Sequence, residues 1–198
     1  MGSALAVLTL ADEVSSKDPL LVFLSETKTG ESKMKGIRNK LEYTQGITVP
    51  SDGKSEGLAM MWKEGSDIRL RSCSNSHIDV EVHSSAAPTP WRATGFYGHP
   101  DTSKRFISWQ LLKFLKNQYN MPWIVFGDFN EITQSDEKTG WLERDAKQMA
   151  DFRDCLTRCE LFDLGFFGQK FTWCNGRGGG VSNALRLGWT KWLRMRIG

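Results

Sequence analysis

Glu26 follows the apolar run LLVFLS (20–25), and Asp128 follows WIVF (123–126) with only Gly127 between. Short continuous apolar runs of this kind suit strands buried on both faces. Both carboxylates therefore fall at the carboxyl end of a central strand, where open α/β sheets gather ligands. A carboxylate held there needs a partner to offset its desolvation. A hard cation is one such partner, since Mg²⁺ takes one or two carboxylates together with substrate phosphate oxygens. Gly127 lets the backbone turn tightly off its strand. Two residues after Asp128, Asn130 can place an amide that orients a water or a phosphate oxygen. A plain turn explains the same residues, because Asp after a strand is a common turn former and helix cap. On spacing alone both readings stand.

The elements that must position these residues can be read from periodicity. The opening segment, MGSALAVLTLADEVSS, reads as an amphipathic helix with Ala4, Val7, Leu8, Ala11 and Val14 on one side. It lacks a basic n-region and carries Asp12 and Glu13, so it does not read as a signal peptide. Ala6 departs from the myristoylation pattern. A short helix is expected near 33–41. Strands follow at GLAMMW (57–62), at 68–72 and 78–83 as half-exposed antiparallel strands, and at WRATGFY (91–97). Asp101 or Thr102 can cap a helix running to about Gln118, with Phe106, Trp109, Leu112 and Leu115 inward. After WIVF, a polar loop carries Glu131 to Arg144, and a helix over about 145–158 turns Met149, Phe152 and Leu156 inward. Residues 171–173 are strand-like. Strands and helices interleave, which predicts one layered α/β domain with mixed sheets.

Composition bounds the function classes. The chain has 198 residues, 39% hydrophobic and 25% charged, ordinary for one globular domain. A net charge of +3 is compatible with a polyanionic partner but too small to argue for one. Eight tryptophans read first as core. The four cysteines form no CxxC pair; Cys155 and Cys159 share a helix face without a His or Cys at zinc spacing, so reduced intracellular thiols are the reading. No uninterrupted apolar run of membrane-spanning length occurs.

Three motifs together go further. GDFN after WIVF, LSETK after LVFL, and GFYGHP closing a strand are similar to three motifs of the endonuclease/exonuclease/phosphatase superfamily. The pattern most resembles the endonuclease domains of plant LINE-type retrotransposons, in which such a domain precedes a reverse transcriptase. WRATGFYGHP, Arg105 and Trp109 in the next helix, PWIVFGDFNE and FTWCNGR (171–177) carry that resemblance over about 19–177. It implies an α/β sandwich of two mixed β-sheets flanked by helices, and Mg²⁺-dependent cleavage of DNA, with Mn²⁺ as the alternative cation. Glu26 is then the implied metal ligand. The implied role of Tyr97 is contact with the scissile phosphate or leaving group; that of Asp128 is to align and deprotonate water. Asn130 holds that water or a phosphate oxygen, and Thr172 offers a hydroxyl to a neighbouring phosphate. His99 reads as a loop residue. A DNA-cleaving protein of this kind is expected inside the cell, in the nucleus, without a membrane partner.

The departures matter equally. Family members open with a strand ending in a WN-type motif, yet here no Asn precedes Asn39, so that central strand is expected to be missing. The RLD motif corresponds to Arg186-Leu187-Gly188, with Gly188 where Asp is expected. No Ser-Asp-His motif follows, and residues 178–198 read as a divergent tail, basic and aromatic in WTKWLRMRIG. Weak or absent catalysis is therefore expected. A nucleic-acid-binding remnant without turnover, and a phosphatase of the same superfamily, are the alternatives.

Overall fold

Val7, Leu10, Ala11 and Val14 form the inner side of the first helix, α1 (Ala4–Lys17), in a computed structural model that describes residues 4–51, 56–137, 144–164 and 191–195. Leu8 is not on that side: it is 62% exposed. At about 100° per residue, a stripe through 7, 10, 11 and 14 leaves position 8 on the far flank of buried Leu10. The helix closes with Asp18 in the left-handed region (φ 43°), its N–H reaching the Val14 carbonyl at 2.9 Å. Pro19 then forbids continuation.

The chain divides into two compact units, Met1–Gly95 and Phe96–Gly198. In the first, β1 (Leu21–Leu24), α2 (Glu31–Lys40), β2 (Gln45–Val49) and β3 (Leu58–Trp62) follow α1. β3 is buried at all positions and lies between β1 and β2, antiparallel to both, with Leu21 and Gln45 each opposite Trp62. Met34 and Ile37 turn the inner side of α2 into a core with Val22, Leu24, Tyr43 and Met61. β2 has no apolar run to announce it; QGITV is mixed and holds a glycine, and pairing to β3 makes it a strand.

β4 (Asp67–Ser74) and β5 (His77–His83) form an antiparallel hairpin. The alternation in β5 predicts a half-exposed strand, yet every residue from His77 to Val82 is buried. Its polar side is buried because each polar group finds a partner. Asp79 accepts both Arg92 Nε (2.8 Å) and the Thr94 hydroxyl. Glu81 meets Arg71 and His83, and His77 lies between the hydroxyls of Ser72 (2.9 Å) and Ser74 (2.8 Å).

β6 (Trp91–Tyr97) runs through the division between the units. The second unit continues with a 3-10 turn (Thr102–Lys104), α3 (Arg105–Lys116), β7 (Trp123–Asp128), α4 (Ala146–Arg158), β8 (Leu161–Asp163) and β9 (Lys191–Met195). Asp101 caps the turn through Ser103 N–H at 3.0 Å, and Asp145 caps α4 through Lys147 N–H at 2.7 Å. Leu112, Leu115, Trp123, Val125, Phe152, Leu156 and Leu161 make its core. Phe106, expected inward, is 50% exposed, and Arg105 and Ser108 take the buried side of α3. The two sheets have strand orders β1-β3-β2 and β4-β5-β6-β7-β9-β8. The α/β class with two sheets flanked by helices is the one that the sequence implies. Among the described residues, no helix is long and apolar enough to cross a membrane.

Candidate active site

In the second unit, the end of β7 and the end of β6 are tied together at the backbone. Gly127 has φ +138°, and a Cβ there would lie 2.1 Å from the Phe96 carbonyl oxygen. Gly98 is equally constrained, since a Cβ on it would lie 2.0 Å from the Phe129 carbonyl oxygen. Only two glycines let these strand ends approach so closely. Gly98 N–H then donates to the Asp128 carbonyl at 2.7 Å.

The Asp128–Asn130 turn is closed by its own side chains. Asn130 N–H donates to Asp128 Oδ1 at 2.8 Å, an Asx turn. Asn130 itself sits in the left-handed region (φ +53°), which Asn tolerates better than most residues. Its Nδ2 donates to the Gly98 carbonyl at 2.7 Å. Beneath the turn, Phe129 is 4% exposed and stacks on Phe96 with centroids 5.2 Å apart. Asp128 and Asn130 are half-buried, and Tyr97 is buried at 6% exposure.

The loop after Tyr97 is held as firmly. His99 N–H donates to Ser108 Oγ at 2.8 Å, and His99 Nδ1 accepts Asp101 N–H at 3.0 Å. That bond leaves Nε2 as the protonated nitrogen of the neutral ring. The Ser103 hydroxyl and N–H hold the Asp101 carboxyl below its ordinary range. Three of the sequence-expected residues, Tyr97, Asp128 and Asn130, are thus gathered around one set of short backbone contacts.

Glu26 belongs to the first unit. It follows β1, is half-buried and has φ +52°. The next residues are pinned from the chain before β3: Thr27 N–H to the Gly57 carbonyl at 3.2 Å and Lys28 N–H to the Glu56 carbonyl at 2.9 Å. Thr172, and Arg186-Leu187-Gly188, lie outside the described residues.

Glu131 falls in a segment whose composition predicts a polar loop, and nothing local in the sequence marks it as buried. Its side chain is buried, and it meets Arg105 Nη1 at 2.8 Å and Arg144 Nε at 3.0 Å. Burial lowers the Arg144 guanidinium from its ordinary value, against the opposing pull of Glu131. GDFNE itself signals only its place, directly after the turn.

Among the described residues, no group of three or more His, Cys, Asp or Glu side chains could hold a metal ion. The carboxylate oxygens of Asp128 in the second unit, and separately those of Glu26 in the first, are the hard donor type that suits Mg²⁺. The donor chemistry fits that cation and does not suit a soft metal.

A model of the endonuclease/exonuclease/phosphatase family matches residues 2–197. The chain belongs to that family. Among solved structures, it is similar to the AP endonuclease of Leishmania major, with TM-score 0.66 and 15% identity over 96% of this chain and 75% of that one. It is also similar to an AP endonuclease from Archaeoglobus fulgidus, with TM-score 0.61 and 17% identity over 96% and 81%. A third likeness is to the endonuclease domain of TRAS1, a telomere-specific non-LTR retrotransposon, with TM-score 0.59 and 15% identity over 83% and 71%. At these identities the likenesses show the fold alone. No curated protein sequence matches the chain. The family comprises endonucleases, exonucleases and phosphatases, hydrolases of phosphoric ester bonds.

Proposed function

We propose that this chain is a DNA endonuclease domain that hydrolyses a phosphodiester bond with a divalent cation, Mg²⁺ or alternatively Mn²⁺. The observation that carries the reading is the bonding of Asn130 to both Asp128 and Gly98, which fixes a half-buried carboxylate and an amide beside the Tyr97 strand end. In this reading Asp128 aligns a water and takes its proton as the new P–O bond forms. Asn130 holds that water or a phosphate oxygen. The Tyr97 hydroxyl contacts the scissile phosphate or supports the departing oxygen as the old P–O bond breaks. Glu26 holds the cation, which when bound offsets charge on the phosphoryl oxygens. Thr172 supplies a hydroxyl to a neighbouring phosphate.

The kinship we favour is with plant LINE-type retrotransposon endonucleases. The WRATGFYGHP and PWIVFGDFNE motifs support it, and so does the likeness to a retrotransposon endonuclease domain. A reverse transcriptase is then the natural companion of the parent element, and the nucleus its place of action. Activity of this chain is low in this reading, because Gly188 stands where the RLD pattern supplies an Asp. Members of such a site act as a unit, so one missing group removes most of the rate.

Nicking of supercoiled plasmid with Mg²⁺, for wild type and Asp128→Ala, tests the proposal. Slow nicking that needs the cation and disappears in the variant is expected. Equal nicking by both proteins, or hydrolysis of small phosphomonoesters without any nicking, overturns it. Salt-sensitive DNA binding with no cleavage points instead to a binding remnant.

A further inference from the structure

We propose that Glu131 is a positioning residue, clamping the chain segment that carries Tyr97 to the turn that carries Asp128 and Asn130. The inference rests on the hydrolytic reading for what the turn does, and on geometry alone for how the turn is held.

Three observations converge. Glu131 directly follows Asn130, whose left-handed backbone (φ +53°) persists only if its surroundings over-determine it. On one flank, the Gly98 contacts provide that constraint. On the other, Glu131 folds back so that Oε1 accepts Ile132 N–H at 3.0 Å, fixing the side chain against its own backbone.

Next, Oε2 accepts from Arg105 Nη1 at 2.8 Å, and both side chains are buried. Arg105 opens α3, directly after the turn that closes the Tyr97–Asp101 loop. Its Nε has no hydrogen-bond partner among the described residues, while its Nη1 meets Glu131. The bond therefore joins the two segments whose approach builds the site.

Finally, Arg144, just before the Asp145 cap of α4, brings a second guanidinium to the same carboxylate, Nε to Oε1 at 3.0 Å. Two arginines on one buried carboxylate make charge, not shape alone, the property that matters. Breaking one partner of a buried ion pair leaves the others uncompensated.

Amide exchange followed by NMR on the full chain tests this without requiring activity. In Glu131→Gln the Gly98 and Asn130 amides are expected to exchange at least about tenfold faster, with core amides of β3 and α4 unchanged. Glu131→Asp, which keeps the charge, recovers part of the protection. Should Glu131→Gln fail to fold, Arg105→Gln removes the same link from the other side and is read identically. Nicking kinetics give the second readout: kcat falls by about tenfold or more in Glu131→Gln while KM stays within about twofold.

Unchanged protection at Gly98 and Asn130, or a uniform rise across all amides, overturns the clamp. If wild type does not nick DNA but the local exchange change appears, the hydrolytic reading fails and the clamp stands.

Discussion

Asn130 donates its side-chain amide to the Gly98 carbonyl at 2.7 Å while its own N–H bonds Asp128 Oδ1 at 2.8 Å. One residue thus closes the turn that presents Asp128 and holds that turn against the end of the Tyr97 strand.

Asn130→Ala loses both the Gly98 bond and a residue type that tolerates φ +53°. We expect a loss of about 2 kcal/mol, combining a lost half-buried hydrogen bond with left-handed strain. Asn130→Gly loses the bond without the strain, so it should be about 1 kcal/mol more stable than the Ala variant. Urea unfolding of the three proteins measures the difference. Equal stability of the Ala and Gly variants contradicts the strain.

The glycines at the strand ends make a sharper contrast. A Cβ at Gly98 or Gly127 meets a backbone carbonyl at 2.0 or 2.1 Å, and backbone cannot move aside as a flexible side chain can. Either Ala substitution should cost about 3 kcal/mol or more. Gly36, within α2 and with nothing within 4 Å of a built Cβ, should respond oppositely. Gly36→Ala is expected to stabilise by about 0.5–1 kcal/mol. Melting temperatures of the three variants decide it, and a destabilised Gly36→Ala contradicts the open space seen there.

His77 sets a pH dependence. Burial, with Arg92 nearby, lowers its pKa from 6.5 to about 4. The native ring therefore stays neutral over a range in which the unfolded ring takes up a proton. The unfolded state binds more protons between about pH 6.5 and 4, so stability falls as pH drops through that window. The contribution is on the order of 3 kcal/mol. Asp79, whose carboxyl burial raises, acts in the opposite sense, so the comparison must be made against His77→Gln at each pH. A flatter acid slope in His77→Gln is expected; the same slope in both proteins excludes His77 as its source.

What the sequence made legible follows from range. Asp128, Asn130 and the glycine before them were readable because a turn off a strand is decided within a few residues. The first unit's β3 was readable because five apolar residues in a row need burial on both sides. Glu131 was not, because its burial depends on Arg105, 26 residues earlier, and on Arg144 beyond the loop. In β5 the period of two gave the strand correctly, while its polar face was misjudged as exposed. Arg92, 13 residues away, makes Asp79 tolerable inside, and no local pattern reports that. Leu8 is exposed for a different reason: in a short helix with apolar residues on several sides, the neighbours select the stripe.

The Asp79–Arg92 pair also yields a test whose sign depends on pH. Both side chains are nearly fully buried, at 0% and 1% exposure, and Arg92 Nε lies 2.8 Å from Asp79 Oδ2. Arg92→Met leaves a buried carboxylate without its ion-pair partner and with the Thr94 hydroxyl still donating to it, at a cost of about 3 kcal/mol near neutral pH. Burial already raises the Asp79 carboxyl, and Arg92 opposes that rise. Removing the guanidinium therefore pushes the native pKa further above the unfolded value. A group shifted in that direction favours the native state below its unfolded pKa and loses that advantage as pH rises through the native one. The variant should thus lie closer to wild type at pH 5 than at pH 8. Adding Asp79→Leu removes the stranded charge and should recover most of the loss, because an apolar pair of similar volume often replaces a buried ion pair without penalty. Urea unfolding at the two pH values follows both steps. A double variant no more stable than Arg92→Met at pH 8 shows instead that the guanidinium stem, through its packing, is what β5 and β6 require.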